Sequence, residues 1–157
     1  MEDISINIGN HKFNFRVSAI IIHNGKILFH KTPGVEHYAL IGGRVKEGET
    51  TRKALKREIK EELGKEIEIL EPLSFTENFF EMKNSEYHEI LVAYRAEFIN
   101  PKDKKILSRL ENIEPDKNTV YEWVDIKEIG NTDIRPKVIK EIIENKKAPA
   151  FLENNGK

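Results

Sequence analysis

Three glutamates, Glu58, Glu61 and Glu62, stand at spacings that put them on one arc of a helix turning about 100° per residue. On the same helix Leu55, Ile59 and Leu63 make an apolar stripe, Lys53, Lys56 and Lys60 make a basic one, and the carboxylates border the apolar side. Like charges three and four residues apart cost a helix roughly 0.2–0.5 kcal/mol per pair, and partial burial raises that cost. The arrangement therefore calls for a cation. A hard divalent ion such as magnesium fits, because it takes oxygen ligands and bridges one or two carboxylates, water and phosphate. Arg57 falls beside the arc, where its planar guanidinium could orient Glu49 or Glu58 by paired hydrogen bonds. The competing reading is a solvated amphipathic face with an ordinary helix salt bridge, which a chain with 34% charged residues forms readily.

The elements that must carry these side chains follow from periodicity and turn chemistry. Val17 to Lys31 reads as two strands around Asn24-Gly25, the dipeptide that tolerates a tight hairpin turn. An apolar stretch from His37 to Ile41 runs into Gly42-Gly43, a loop leads to Thr50, and the glutamate helix ends near Gly64, a residue suited to a C-cap. Ile67 to Glu81 and Tyr87 to Phe98 read as long strands joined by the turn Lys83-Asn84-Ser85-Glu86. The second has apolar groups on both faces, as an inner strand would. Asn100 to Lys117 reads as an irregular excursion and Thr119 to Val124 as the last strand. A closing helix from Pro136 to Asn145 sets Val138, Ile139, Ile142 and Ile143 on one side. The expectation is an α/β protein with one domain over residues 1–157.

The glutamates belong to a longer pattern of fixed spacing. Gly43-Arg-Val-Lys-Glu-Gly-Glu49, seven further residues, then Arg57-Glu58-Ile59-Lys60-Glu61-Glu62-Leu63-Gly64 resembles the Nudix box. The coarse order of strands and helices resembles that family's layout over residues 12 to 145. The resemblance implies an α/β/α sandwich around a mixed β-sheet, and a pyrophosphohydrolase that depends on magnesium or, in its place, manganese. It assigns the metal to Glu58, Glu61 and Glu62, gives Arg57 and Glu49 supporting roles at the catalytic centre, and lets the backbone at Gly42 and Gly43 approach the substrate phosphates. Two positions depart from the pattern. Ile41 stands where many members have proline, and Lys65 stands where the closing residue is normally apolar.

Other residues carry weaker signals. Glu61 and Glu89 are both candidates for the general base, Glu89 because a carboxylate among apolar neighbours on an inner strand is costly without a partner; Glu77 follows them. Arg16 and Arg44 could bind phosphate or simply be solvated. Phe79, Phe80 and Tyr87 could stack on a base, although aromatics at strand spacing are mostly core. The 26 basic and 27 acidic residues leave a net charge of -1, so there is no general attraction to nucleic acid, and a basic cluster at Lys102, Lys104 and Lys105 argues only weakly for it. A capped RNA end remains an option as substrate, beside nucleoside triphosphates, dinucleoside polyphosphates and nucleotide sugars. There is no cysteine, hence no disulfide, thiolate zinc site or cysteine nucleophile. The longest wholly apolar run, Ala19 to Ile22, cannot cross a bilayer, and no signal core is evident, so the expected protein is cytoplasmic with a small nucleotide-like diphosphate as partner. The oligomeric state stays open, a homodimer included. The rival function is a non-catalytic nucleotide sensor on the same fold.

Overall fold

Asn24 and Gly25 hold φ angles of 48° and 72°, the left-handed pair that a two-residue hairpin turn needs. They join β2 (His11–His23) to β3 (Lys26–Lys31). Lys83 and Asn84, at 51° and 62°, do the same between β6 (Ile67–Met82) and β7 (Ser85–Phe98). The turn expected to span four residues is thus two residues long, and Ser85 and Glu86 are already strand. The computed structural model describes residues 1–104, 108–145 and 149–156; Lys105 of the basic cluster lies outside them.

The remaining elements are β1 (Ser5–Ile8), β4 (Tyr38–Ala39), β5 (Ile41–Arg44), α1 (Thr51–Leu63), α2 (Pro101–Lys104), β8 (Leu110–Glu111), β9 (Val120–Asp125), a 3-10 helix (Ile126–Asn131), β10 (Ile134–Arg135), α3 (Ile139–Asn145) and β11 (Ala150–Asn154). Among the described residues the strands form one connected sheet along the path β10-β4-β3-β2-β7-β6-β11. β1 and β5 also pair with β2, and β9 pairs with β3 and β8. The sheet is mixed: β2 runs parallel to β7, which runs antiparallel to β6. β7 is therefore the inner strand its two apolar faces implied.

Two helical layers close the sandwich. On one face α1 buries Ala54, Leu55, Ile59 and Leu63 against Val17, Ala19, Ile21, Tyr94 and Ala96. On the other, Ile129 of the 3-10 helix and Ile139 and Ile142 of α3 cover Ile20, Phe29, Leu91 and Ala93. Each fully buried Leu or Ile stabilises the fold by about 1.5–3 kcal/mol, so the apolar stripe of α1 is what clamps the glutamate helix to the sheet. The lysines of its basic stripe are exposed.

Three expectations need correction. Thr119 to Val124 is not the last strand: β10 follows it, and β11 returns to pair in parallel with β6. α3 begins at Ile139, because residues 136–138 are held in a tighter turn by bonds such as Ile139 N–H to the Pro136 carbonyl. The apolar stretch from His37 to Ile41 is not one strand: it is divided between β4 and β5, and β5 continues through Gly42 and Gly43, opposite Ser18 and Val17 of β2. A Cβ on Gly42 would overlap the Val17 carbonyl oxygen and the Ser18 Cα. Because that obstacle is backbone, Gly42→Ala is expected to destabilise the fold by about 3 kcal/mol or more in a thermal melt; an unchanged melting temperature would refute the overlap.

The two departures from the motif are accommodated. Ile41 is a fully buried strand residue paired with Ala19. Lys65 places Nζ 2.6 Å from Oδ1 of Asp103 in α2, with both side chains largely buried, so an ion pair stands where an apolar contact was expected.

Candidate active site

Local sequence fixes both ends of α1. Thr50 caps its N-terminus by accepting from the Lys53 N–H, and Gly64, at φ 66°, ends it with its own N–H bonded to the Lys60 carbonyl. The carboxylates are thereby held in phase over the last two turns.

Arg57 is the hub. Its Nε and Nη2 donate to the two Glu49 oxygens at 3.1 and 2.6 Å, its Nη1 donates to Glu58 at 2.6 Å and to Glu61 at 3.1 Å, and Nη2 also reaches the Arg44 carbonyl at 3.0 Å. The backbone N–H of Lys46 adds a bond to Glu49. The Glu49 side chain is only 7% exposed, and its pairing with Arg57 holds its carboxyl below the usual range. The same hydrogen bonds raise the guanidinium's own pKa. The cation that the sequence demanded is thus supplied in part by the helix itself.

Glu58 and Glu62 are in a different condition. Burial pushes the Glu58 carboxyl up despite Arg57, and pushes Glu62 up to about 7, with Glu58 and Glu114 adding repulsion. Glu62 Oε2 accepts a 2.7 Å bond from the Tyr121 hydroxyl. Gly43 makes room: a Cβ there would overlap the Glu58 carboxylate. The obstacle is a flexible side-chain end, so Gly43→Ala should leave the melting temperature close to wild type while displacing Glu58 and cutting turnover. Loss of folding, or unchanged turnover, would contradict that reading.

Among the described residues, no three acidic or histidine side chains are gathered closely enough to enclose an ion as they stand. Arg57 turns Glu58 and Glu61 toward itself, and Tyr121 turns Glu62. The donor chemistry nonetheless fits a hard divalent ion, since every ligand is an oxygen and the two buried carboxylates lack sufficient countercharge.

Of the other candidates, Arg16 lies near enough to act electrostatically on both Glu62 and His30. Arg44 pairs with Asp3 at 3.3 Å on the surface. Glu89 is not brought to this cluster: it projects from β7 on the face of Leu91 and Ala93, opposite α1. There it is 5% exposed and bonded to Asn78 Nδ2 at 3.2 Å, with Asn78 in turn bonded to Asn154. Glu77 stands in register with Ile90 of β7 and has no hydrogen bond or ion pair to the cluster among the described residues, and Phe79 and Phe80 are occupied against His88 and Tyr87.

Sequence reasoning missed Tyr121 and Glu114. Both come from the segment that packs on the end of α1, where the Ile113 N–H bonds the Glu62 carbonyl at 2.8 Å. No spacing rule links residues this far apart; only a strand pattern placing Tyr121 on the α1 face could have pointed to it.

A sequence model of the NUDIX domain matches residues 12–145. The chain belongs to the Nudix family. Solved structures with the same fold include a NUDIX hydrolase from Nitrosomonas europaea, with a TM-score of 0.62 and 21% identity over 92% of this chain and 79% of that one. A MutT protein from Bacillus halodurans has a TM-score of 0.60 and 17% identity over 88% and 85% of the two chains. An ADP-ribose pyrophosphatase from Streptococcus suis has 0.57 and 13% over 90% and 98%. In Nudix terms, the carboxylates, Arg57 and Gly43 described above are the box. No described helix of this Nudix protein is long and apolar enough to cross a membrane.

Proposed function

We propose that this Nudix protein is an active pyrophosphohydrolase of one domain, cytoplasmic, which uses water to cut a phosphoanhydride bond in a small nucleotide-like diphosphate. The observation that carries the reading is the intact box: Arg57 bonded at once to Glu49, Glu58 and Glu61, with Glu62 beside them in a buried setting. A sensor on the same fold would not need a buried, unneutralised carboxylate. The ADP-ribose pyrophosphatase among the structural neighbours supports a nucleoside diphosphate-linked substrate.

Glu58, Glu61 and Glu62 would hold magnesium, or manganese in its place. When bound, the ion neutralises phosphate oxygens and acidifies a water. The protein's own contribution is positional. Arg57 keeps Glu49 and Glu58 in fixed orientations, which matters because small misplacements at a reacting centre cost large factors in rate. Gly43 leaves space for the Glu58 carboxylate, and Arg16 supplies positive charge for a phosphate. Glu61, the most exposed of the three at 42%, takes up the proton of the attacking water at its free oxygen.

A panel of nucleoside triphosphates, dinucleoside polyphosphates, nucleotide sugars and capped RNA tests the proposal. At least one should release phosphate or a mononucleotide in magnesium and stop doing so in chelator. Silence across the whole panel at alkaline pH would favour the sensor.

A further inference from the structure

We infer that Tyr121 is a positioning residue for the metal site, its hydroxyl, itself fixed by Asn112, holding the Glu62 carboxylate in the orientation from which it takes up a divalent cation. The inference rests on the metal reading above, and nothing in the box specifies it, since Tyr121 lies 59 residues from Glu62.

The direction of the bonds carries the argument. Asn112 Nδ2 donates to the Tyr121 oxygen at 3.2 Å and to Thr119 Oγ1 at 3.0 Å. With its oxygen already accepting, the phenol has one proton to give, and Glu62 Oε2 takes it. Glu62 Oε1 is left with no protein donor among the described residues. Tyr121 is fully buried, with its ring 5.8 Å from that of His30, so the phenol cannot swing away. Asn112 is fixed in turn, because its Oδ1 accepts the Glu114 N–H at 2.8 Å. The neighbouring Ile113 N–H ties the same segment to the Glu62 carbonyl.

The choice of donor matters. Arg57 orients Glu58 and Glu61 but also offsets their charge. A phenol orients Glu62 while leaving its charge whole for a cation. The three carboxylates are therefore set from two sides, by a guanidinium that belongs to the box and by a neutral hydroxyl that belongs to β9.

Calorimetric titration of Mn2+ into the full-length, metal-free protein tests this without turnover. Tyr121→Phe, which removes only the hydroxyl, should weaken binding about 10–100-fold, the usual range when a ligand loses its orienting partner. Asn112→Ala should weaken it less, in the same direction. The double variant with Glu62→Gln should bind no more weakly than Glu62→Gln alone, because the two changes remove one interaction. Binding by Tyr121→Phe within about twofold of wild type, or a further loss added to that of Glu62→Gln, overturns the inference while the metal site stands. Wild-type protein that takes up no Mn2+ overturns the metal reading itself. Should Tyr121→Phe fail to fold by circular dichroism, Asn112→Ala in the same cycle decides the matter.

Discussion

Arg57→Ala is expected to cost the protein stability and activity together. Removing the guanidinium strips Glu49 of two hydrogen bonds and Glu58 and Glu61 of one each. Breaking a buried pair from one side leaves the partner's charge stranded, at a cost of about 3–5 kcal/mol, because desolvation is no longer offset. Thermal melting of the metal-free variant should show that loss. Turnover should fall at least about a hundredfold, since Glu58 is no longer oriented. Arg57→Lys keeps the charge but not the planar fork, so it should recover part of the stability and little of the rate. A variant that melts with the wild type would show that the bonds around Arg57 contribute nothing to the fold.

Glu62→Gln should do the opposite to stability and the same to activity. The Glu62 carboxyl titrates near 7 in the folded chain against 4.5 for the free group, chiefly because burial disfavours its charge. Between those values the folded chain keeps a proton that the unfolded chain has released. The Glu62 contribution to metal-free stability therefore falls as pH rises through that window and levels off above it. Two and a half pH units correspond to at most about 3 kcal/mol. At about pH 8 the glutamine variant, which can still accept from Tyr121, should melt higher than wild type by that order, and the slope between pH 5 and 7 should flatten. Magnesium should raise the wild-type melting temperature and leave the variant's nearly unchanged. A wild type whose stability followed the same slope as the variant between pH 5 and 7 would contradict the assignment, since His30, with its lowered pKa, pushes both proteins the other way alike. So would a variant that kept its turnover. On the proposed metal reading the site stores repulsion that a cation would relieve, and stability is lower without one.

Much of this was legible in local sequence. The Asn24-Gly25 hairpin, the Thr50 and Gly64 caps and the three stripes of α1 depend on turn and helix chemistry within a few residues, and the structure has them where periodicity puts them. The spacing of Arg57, Glu58, Glu61 and Glu62 put them on one flank of α1, because a helix of known pitch leaves no freedom in which face they share, whereas Gly43 and Glu49, which lie outside the helix, were joined to them only by the resemblance to the Nudix box. Short strands were harder. β10 and β4 have two residues each and no period to read, and β11 is defined by its pairing with β6 alone.

The sequence by itself determined the carboxylate arc and the arginine beside it, since both lie on one helix whose geometry is local, but that Gly43 makes room for Glu58 came from the structure. Only the tertiary structure decided which distant side chains join them. β7 is apolar on both faces, so its alternation could not say that Glu89 would point away from α1. The same non-local packing that carried Glu89 off brought Tyr121 and Asn112 to Glu62, because strand pairing, which no local pattern encodes, sets which face of each strand meets the helix.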